Sequence, residues 1–328
     1  MTAEALRART WQLLDILADG HFHSGELLAQ RLGVSRASVF NALADTADCG
    51  VALQRVRGRG YRLARPWQPL HRNEIMRWLD AKGGQLDIEV VPQAPSSNTL
   101  LLQRAALGAP GGSVVAVELQ SAGRGRLGRT WHSGLGNALT FSLLWRFDCG
   151  LNALSGLSLA VGVAIVRALN KVGAEGVGLK WPNDIVCAQG KLGGVLIEAQ
   201  GDMLGPSAVV IGIGLNCHLS ESLAELIDQP AGALDELCAE MPERNCLLAL
   251  LLQELATVLR QFELGGFAPL HDEWEQCHIY QDEPIRLCLA DGSEVSGIAR
   301  GVGDGGELRL ETAQGMRSFN SGEVGVRR

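Results

Sequence analysis

The segment Gln120–Trp131 reads Gln-Ser-Ala-Gly-Arg-Gly-Arg-Leu-Gly-Arg-Thr-Trp and alternates three glycines with three arginines. An apolar run, Ser113 to Leu119, precedes it, and a strand-like pattern, Asn137 to Phe147, follows it. Glycine lets a backbone approach a ligand closely, and the guanidinium of arginine presents a planar fork of donors to phosphate or carboxylate oxygens. The segment, called the arginine loop below, therefore predicts a connection between two strands that clamps an anionic ligand.

The arginine loop has two other interpretations, a solvated turn and an RNA-binding tract. Alternating glycine and arginine also occurs in solvated turns and in RNA-binding tracts, so the motif alone is not specific. Here the tract is single and short, and a tryptophan, Trp131, follows it directly. These features favour a folded site loop.

Three further blocks accompany the arginine loop in the sequence, within roughly residues 90 to 220. They are Ser96-Ser97-Asn98-Thr99, then Lys180-Trp181-Pro182-Asn183-Asp184 with Lys191-Leu192-Gly193-Gly194-Val195-Leu196-Ile197-Glu198, and finally Gly212-Ile213-Gly214-Leu215-Asn216. In this order the four blocks resemble the signature segments of the biotin protein ligases. Ser97 stands where that family's pattern has threonine.

The resemblance implies a role for particular side chains. Lys180 and Arg126 would be catalytic, and a nucleotide would contact Arg124, Arg126, Asn183 and Asn216. Biotin or biotinyl-5′-AMP would contact Ser96, Ser97, Asn98, Gln120, Gly123, Arg124, Gly125, Arg126, Lys180, Gly212 and Gly214. No metal-binding side chains are predicted, and His21 and His23 have no nearby residues to complete a metal site.

The resemblance also implies a reaction. A biotin protein ligase makes biotinyl-5′-AMP from biotin and ATP, with Mg²⁺ accompanying the nucleotide, and passes biotin to a lysine of a biotin carboxyl carrier domain such as that of acetyl-CoA carboxylase. Two alternatives stay open: a lipoate protein ligase, which shares the catalytic fold, and a regulator that senses its ligand without catalysis. The intact Lys180 and arginine loop argue against the second.

Composition limits the class of protein and its surroundings. The chain has 328 residues, 46% of them hydrophobic, which leaves room for two or three globular domains. Eight scattered cysteines without a Cys-x-x-Cys pair fit free thiols in a reducing cytoplasm. No apolar run reaches the ~18 residues of a membrane helix, and no hydrophobic segment follows Arg9 as in a signal peptide. We therefore expect a cytoplasmic protein with no membrane partner.

The N-terminal segment carries the opposite charge from the rest. Residues 1–65 hold nine Lys/Arg and six Asp/Glu, whereas the remainder holds twenty and thirty. Helices are predicted over Trp11–Ala18, Gly25–Leu32 and Arg36–Asp48, with a hairpin after Val51 that carries five arginines in eleven residues. This pattern is typical of a winged helix-turn-helix domain that contacts a polyanion.

Candidate DNA contacts lie on the third helix and the wing, at Ser35, Arg36, Ser38, Asn41, Arg57 and Arg59. The third helix also carries Asp45 and Asp48 and has no lysine, so a winged helix used for protein contact, or one without function, is the alternative. In the family it resembles, this domain binds operator DNA as a homodimer promoted by biotinyl-5′-AMP, which acts as corepressor.

The sequence as a whole predicts an α+β fold with three domains. We expect the winged helix-turn-helix domain over residues 1–65, the catalytic domain over 66–282 and a small antiparallel barrel over 283–328. Within the second, we expect a turn over Pro92–Ser97 and a helix over Leu154–Val172. Four short strands are expected after Pro284. The family resemblance implies a mixed sheet in the catalytic domain and an SH3-like form for the barrel.

Overall fold

The computed structural model describes residues 8–44, 46, 51–79 and 86–326. Within them the chain forms three sheets: a two-stranded wing, a seven-stranded sheet in the middle and a five-stranded sheet at the end. The predicted α+β class is thereby confirmed.

The N-terminal domain is a winged helix-turn-helix, as predicted. Its elements are α1 Ala8–Leu17, α2 Gly25–Leu32, α3 Arg36–Ala44, β1 Leu53–Val56 and β2 Gly60–Leu63. Ser24 caps α2 by accepting a hydrogen bond from the amide of Leu27, and Gly33 ends that helix in the left-handed region. The helix was predicted to extend to Asp48, but α3 ends at Ala44 and Thr46 lies in a turn. The other residues of the predicted extension, 45, 47 and 48, lie outside the described residues.

The central sheet is mixed, with strand order β3-β4-β5-β9-β8-β7-β6 and only the β3–β4 pair parallel. The strands are β3 Asp87–Ala94, β4 Ser113–Gln120, β5 Ala138–Phe147, β6 Gly178–Lys180, β7 Asp184–Cys187, β8 Gly190–Gly201 and β9 Ser207–Asn216. The helices are α4 Arg72–Trp78, α5 Ser97–Ala106, α6 Leu157–Lys171, α7 Glu221–Ala224, α8 Arg244–Gly265 and α9 His271–Cys277.

Two apolar layers cover the two faces of this sheet. The apolar side chains of α6 and α8 pack with those of one face into the largest core of the described residues. On the other face, Leu101 and Ala105 of α5 pack against Val115 and Val117 of β4. Successive strand residues point to opposite faces, so β4 contributes to both cores.

The structure corrects two predicted boundaries. The strand β3 continues through Pro92 to Ala94, where we expected a turn. Proline is tolerated there because β3 is an edge strand, whose outer side has no neighbouring strand to which a backbone N–H would donate. The helix expected from Leu154 begins at Leu157 instead, since Gly156 takes a positive φ of 78° that a helix cannot contain.

The C-terminal sheet has one strand more than predicted. It comprises β10 Pro284–Cys288, β11 Glu294–Val302, β12 Leu308–Thr312, β13 Gly315–Phe319 and β14 Glu323–Val326. The order is β13-β12-β11-β10-β14, all antiparallel. Strand β14 has only four residues and includes Gly325, too short a pattern to recognise. Trp181 in the central domain donates from its indole nitrogen to the Gly306 carbonyl at 3.0 Å, which joins the two domains.

His278, just after α9, provides a pH-dependent contribution to stability. The residue is 6% exposed and stacks on Trp274 with ring centroids 4.6 Å apart. Burial lowers the pKa of His278 to about 4, from an ordinary value near 6.5, although Gln281 opposes this shift.

We expect His278 to lower the free energy of unfolding when the pH falls. The neutral ring is favoured in the folded state, so its contribution is complete above pH 6.5 and is lost as the pH falls towards 4. Between pH 7.5 and 4.5, wild type should lose ~2–3 kcal/mol more unfolding free energy than His278→Phe, which keeps an aromatic ring there. Urea unfolding at both pH values measures this, and equal losses in the two proteins would contradict it.

Candidate functional site

A cleft with a volume of ≈ 270 Å³ lies between the arginine loop, the β6–β7 turn, strands β8 and β9, and the edge of β14. Eleven of the predicted site residues line it: Ser96, Ser97, Asn98, Gln120, Arg124, Gly125, Arg126, Lys180, Asn183, Gly212 and Gly214. Four distant segments of sequence thus meet at one place.

The arginine loop folds back on itself as a narrow hairpin. The Gly125 amide donates to the Arg129 carbonyl at 2.7 Å, and the Trp131 amide donates to the Gly123 carbonyl at 2.9 Å. A Cβ at Gly123 would press on the Trp131 carbonyl. Gly123 therefore closes the base of the loop. It is not among the residues that line the cleft, and its predicted contact with the ligand stays a prediction.

One end of the cleft is a cluster of neutral polar side chains held in fixed orientations. Gln120 accepts a hydrogen bond from the Ser97 amide at 2.7 Å. Ser142 lies 2.7 Å from the Ser97 hydroxyl and donates to Asn98 Oδ1 at 2.5 Å. Asn98 in turn donates from Nδ2 to Glu198 at 2.9 Å. Sequence reasoning named neither Ser142 nor Glu198 as a site residue.

Gly212 and Gly214 serve this cluster in a way that the sequence did not reveal. A Cβ at Gly212 would clash with the amide oxygen of Asn98, and one at Gly214 would clash with the indole of Trp131. Both glycines still line the cleft. Their smallness accommodates the neighbouring side chains.

Each arginine of the loop rests on an acceptor from a different part of the chain. Arg124 pairs with Glu198 of β8 at 2.7 Å, and Arg126 donates to Asn183 at 3.1 Å. Arg129 pairs with Glu323 of β14. No sequence signal pointed to Glu323, because it becomes a neighbour of the loop only when the C-terminal sheet docks.

Lys180 and Lys191 converge on Asp184. Antiparallel pairing of β6 and β7 sets Lys180 opposite Asp184, and Lys191 Nζ lies 2.6 Å from Asp184 Oδ1. Burial lowers the pKa of Lys180, while the nearby Asp184 carboxylate opposes that shift. Lys191 belongs to a signature block but was not predicted as a site residue. Its position in the cleft makes it a candidate.

The cleft has a strong excess of positive charge. Among the described residues that line it are Arg124, Arg126, Arg129, Lys180 and Lys191, against the carboxylates of Asp184 and Glu323. Burial lowers the pKa of Arg126, with Glu323 and Asp184 opposing. Such a site favours a ligand with several negative charges.

Asn216 lies in an adjoining cavity of ≈ 370 Å³. Its side-chain nitrogen donates to the carbonyls of Lys191, at 3.3 Å, and Gly232, at 3.1 Å. Arg129, Trp131 and Lys191 border both cavities. The two spaces therefore adjoin, and an elongated ligand with two parts would suit them.

The predicted DNA contacts fall into two groups. Ser35 caps α3 by accepting from the Ser38 amide at 3.1 Å, and the two hydroxyls lie 2.9 Å apart, so both are engaged within the helix. Arg36, Asn41, Arg57 and Arg59 are exposed. The Arg59 guanidinium also lies over the ring of Phe22, 4.1 Å from its centroid.

Residues 8–44, 46, 51–79 and 86–326 contain no group of three or more His, Cys, Asp or Glu side chains arranged to hold a metal ion. They also contain no helix whose length and apolar character would allow it to cross a membrane.

Comparison with known proteins agrees with this description. Residues 90–216 match the biotin/lipoate A/B protein ligase family, residues 282–327 the biotin protein ligase C-terminal domain, and residues 9–62 a helix-turn-helix domain. The bifunctional ligase/repressor BirA of Escherichia coli is 37% identical over 316 residues, 96% of each chain.

Two further relatives extend the comparison. A biotin–[acetyl-CoA-carboxylase] ligase of Mycobacterium tuberculosis is 34% identical over 75% of this chain and 91% of its own. The structure of a biotin protein ligase from Aquifex aeolicus, in complex with biotin and ATP, is 26% identical with a TM-score of 0.62, and the match covers 74% of this chain and 99% of that one. The chain therefore belongs to the biotin protein ligase family, in the form that carries an N-terminal helix-turn-helix domain.

Proposed function

We propose that this protein is an ATP-dependent biotin protein ligase that also represses transcription. It adenylates biotin, transfers biotin to a lysine of a biotin carboxyl carrier domain, and binds operator DNA when it holds biotinyl-5′-AMP. The observation that carries the proposal is the cleft itself, in which a neutral polar cluster adjoins five cationic side chains. We infer a cytoplasmic location, where ATP, carrier protein and DNA meet.

The first half-reaction brings two anions together. A biotin carboxylate oxygen attacks the α-phosphorus of ATP, a phosphorus–oxygen bond forms, and pyrophosphate leaves with the electron pair of the broken bond. Negative charge then accumulates on the phosphoryl oxygens, so positioned cations are the principal aid that a protein offers. In the second half-reaction a lysine amine of the carrier attacks the biotinyl carbonyl carbon, loses a proton and expels AMP.

Each part of the cleft has a role in this scheme. The side chains of Ser97, Asn98 and Gln120 are already oriented by their mutual contacts and suit the neutral ureido ring of biotin. Arg124 and Arg126 hold the carboxylate and phosphate oxygens of the ligand. To do so, their guanidinium groups leave Glu198 and Asn183, the acceptors that they contact in this structure. Lys180 and Lys191 stabilise the charge that develops at the α-phosphate.

Mg²⁺ would enter with the nucleotide. It usually keeps several waters and binds phosphates, and since Asp184 Oδ1 already pairs with Lys191, the phosphates of the nucleotide would be its principal ligands. Its contribution when bound is to neutralise the departing pyrophosphate.

Exchange of labelled pyrophosphate into ATP tests the proposal. Exchange should require biotin, and lipoate should neither replace biotin nor compete with it. Loss of exchange with biotin, together with robust exchange with lipoate, would reassign the substrate. No exchange with either would leave a protein that senses a ligand without activating it.

The arginine loop should become resistant to protease when the adenylate forms. In the structure, Arg124 and Arg129 remain 43% and 57% exposed despite their carboxylate partners. Bidentate hydrogen bonds from arginine to phosphate oxygens should immobilise the loop. Trypsin cleavage after Arg124, Arg126 and Arg129 should therefore slow when biotin and ATP are added together, with biotin alone as the control. Unchanged cleavage would count against a mobile loop that the ligand closes.

Biotinyl-5′-AMP should also promote dimers and DNA binding together. One winged helix is small for a tight specific site, so two copies reading two half-sites are expected. Coupling between ligand and DNA through dimerisation must be reciprocal. Sedimentation should show self-association that requires biotin and ATP, and gel shifts on biotin-synthesis promoters should weaken steeply with salt. If the protein formed a ligand-dependent dimer but did not bind these promoters, the repressor part of the proposal would be wrong and the ligase part would stand.

A further inference from the structure

The solvent-facing side of α3 has an unusual composition for a helix in this position. Val39, Ala42 and Leu43 point into the domain core. The exposed face consists of Arg36, Ala37, Phe40, Asn41 and Ala44. It thus combines one guanidinium, one amide, two methyl groups and a large aromatic ring, Phe40, that is 45% exposed. This face therefore offers an aromatic ring and methyl groups beside two polar side chains.

Phe40 is held in place by the wing. The guanidinium of Arg55 lies 4.3 Å from the centroid of the Phe40 ring and 5.2 Å from that of Tyr61. Two cation–π contacts thus link α3 to strands β1 and β2. Phe40 is presented to solvent in a fixed position, and Arg55 is a positioning residue for it.

The surrounding charge indicates what this face meets. Arg55, Arg57 and Arg59 are all exposed on the adjacent wing, and the segment 1–65 has an excess of Lys/Arg over Asp/Glu. Arginines beside an exposed helix suit duplex DNA, with the wing on phosphates and the helix in the major groove.

We propose that α3 reads A·T base pairs, an inference that rests on the proposed DNA binding. In the major groove, asparagine pairs with N6 and N7 of adenine, whereas phenylalanine and alanine contact the C5-methyl group of thymine. Asn41 is the adenine reader, and Phe40 with Ala37 forms the thymine-methyl contact. Arg36, at the first turn, is the one described residue of the exposed α3 face that suits guanine or a phosphate.

Selection from a random-sequence duplex library, with biotin and ATP present, tests the base preference. Wild type should enrich adjacent A·T pairs in each half-site. Asn41→Ala should lose the adenine preference, with discrimination falling ~10-fold or more. Gln30→Ala, an exposed amide on α2, is the matched control and should select the same sites as wild type.

Two base analogues test the contacts at atomic level. Replacing the selected thymine by uracil removes only the methyl group and should weaken wild type about fourfold. Phe40→Ala, which keeps only the smaller contact from alanine methyl groups, should be weakened clearly less. Replacing the adenine by 7-deazaadenine removes N7 and should weaken wild type but not Asn41→Ala. Biotin-dependent pyrophosphate exchange should be normal in all three variants, which verifies that the central domain is folded. Circular dichroism and thermal unfolding should match wild type, which verifies that the winged helix domain is folded.

The outcomes separate this inference from the function on which it rests. Tight, salt-sensitive binding with selected G·C pairs at these positions, or with no base preference, would overturn A·T reading while leaving DNA binding intact. Equal sensitivity of wild type and Phe40→Ala to uracil would remove Phe40 as the methyl contact. Absence of binding to every duplex would overturn both proposals.

Discussion

Lys180→Ala should lower the rate of biotin adenylation by ~10²–10³-fold, the usual cost of losing one preorganised charge at a phosphoryl-transfer site. Lys180 is held at the end of β6 opposite Asp184, and it lines the cleft with four other cations. Its burial means that its charge acts in a poorly solvated environment, where it stabilises the transition state more than it could in water. Single-turnover formation of biotinyl-5′-AMP measures the effect.

Two comparisons sharpen this experiment. Lys171→Ala removes a lysine that pairs with Glu254 outside the cleft, so its adenylation rate should match wild type. Lys191→Ala removes the other cation beside Asp184 and should also slow adenylation. If Lys180→Ala retained near-normal turnover while Lys191→Ala lost most of it, the catalytic assignment would pass from Lys180 to Lys191.

Arg244→Ala should destabilise the protein by ~3–5 kcal/mol, because it leaves a buried carboxylate without its partner. The Arg244 and Glu118 side chains are 6% and 4% exposed and lie 2.9 Å apart. Arg244 also donates to the Gln68 carbonyl at 2.6 Å, and Glu118 accepts from the Leu70 amide at 2.5 Å. The pair therefore fastens the segment after the winged helix to the central domain. Urea unfolding measures the loss.

An exposed arginine supplies the control for this stability prediction. Arg300 pairs with Asp282 and Glu311 at the surface, where solvent screens both pairs, so Arg300→Ala should destabilise the protein far less than Arg244→Ala does. The double variant Glu118→Leu with Arg244→Leu should be more stable than Arg244→Ala alone, since neither charge is then buried unpaired. A loss below 1 kcal/mol in Arg244→Ala would show that water reaches Glu118.

Local patterns in the sequence identified most elements and the segments that form the cleft. The arginine loop lies between two strands, as the strand-like runs on either side of it predicted, and α2 and α3 begin at Gly25 and Arg36 as predicted, where Ser24 and Ser35 cap them. The departures have local causes too: Pro92 remains in a strand because that strand is at an edge, and Gly156 delays the start of α6.

The parts of the site that escaped prediction depend on pairing between distant segments. Glu198 of β8 contacts Arg124 and Asn98, which lie 74 and 100 residues earlier in the chain. Ser142 meets Ser97 across 45 residues. No periodicity encodes such contacts, since they follow from strand register and domain docking. The roles that the family resemblance assigns to the cleft residues remain predictions until the variants are measured.

The contact between Arg129 and Glu323 has a consequence for synthesis of the protein on the ribosome. The two residues are 194 positions apart, and β14 must pair with β10 before Glu323 and Val324 can complete the cleft. Domains commonly fold in the order in which they emerge, and the winged helix is complete after about 65 residues. A nascent chain therefore completes its helix-turn-helix domain well before it can adenylate biotin, and translation itself separates the completion of the two domains in time.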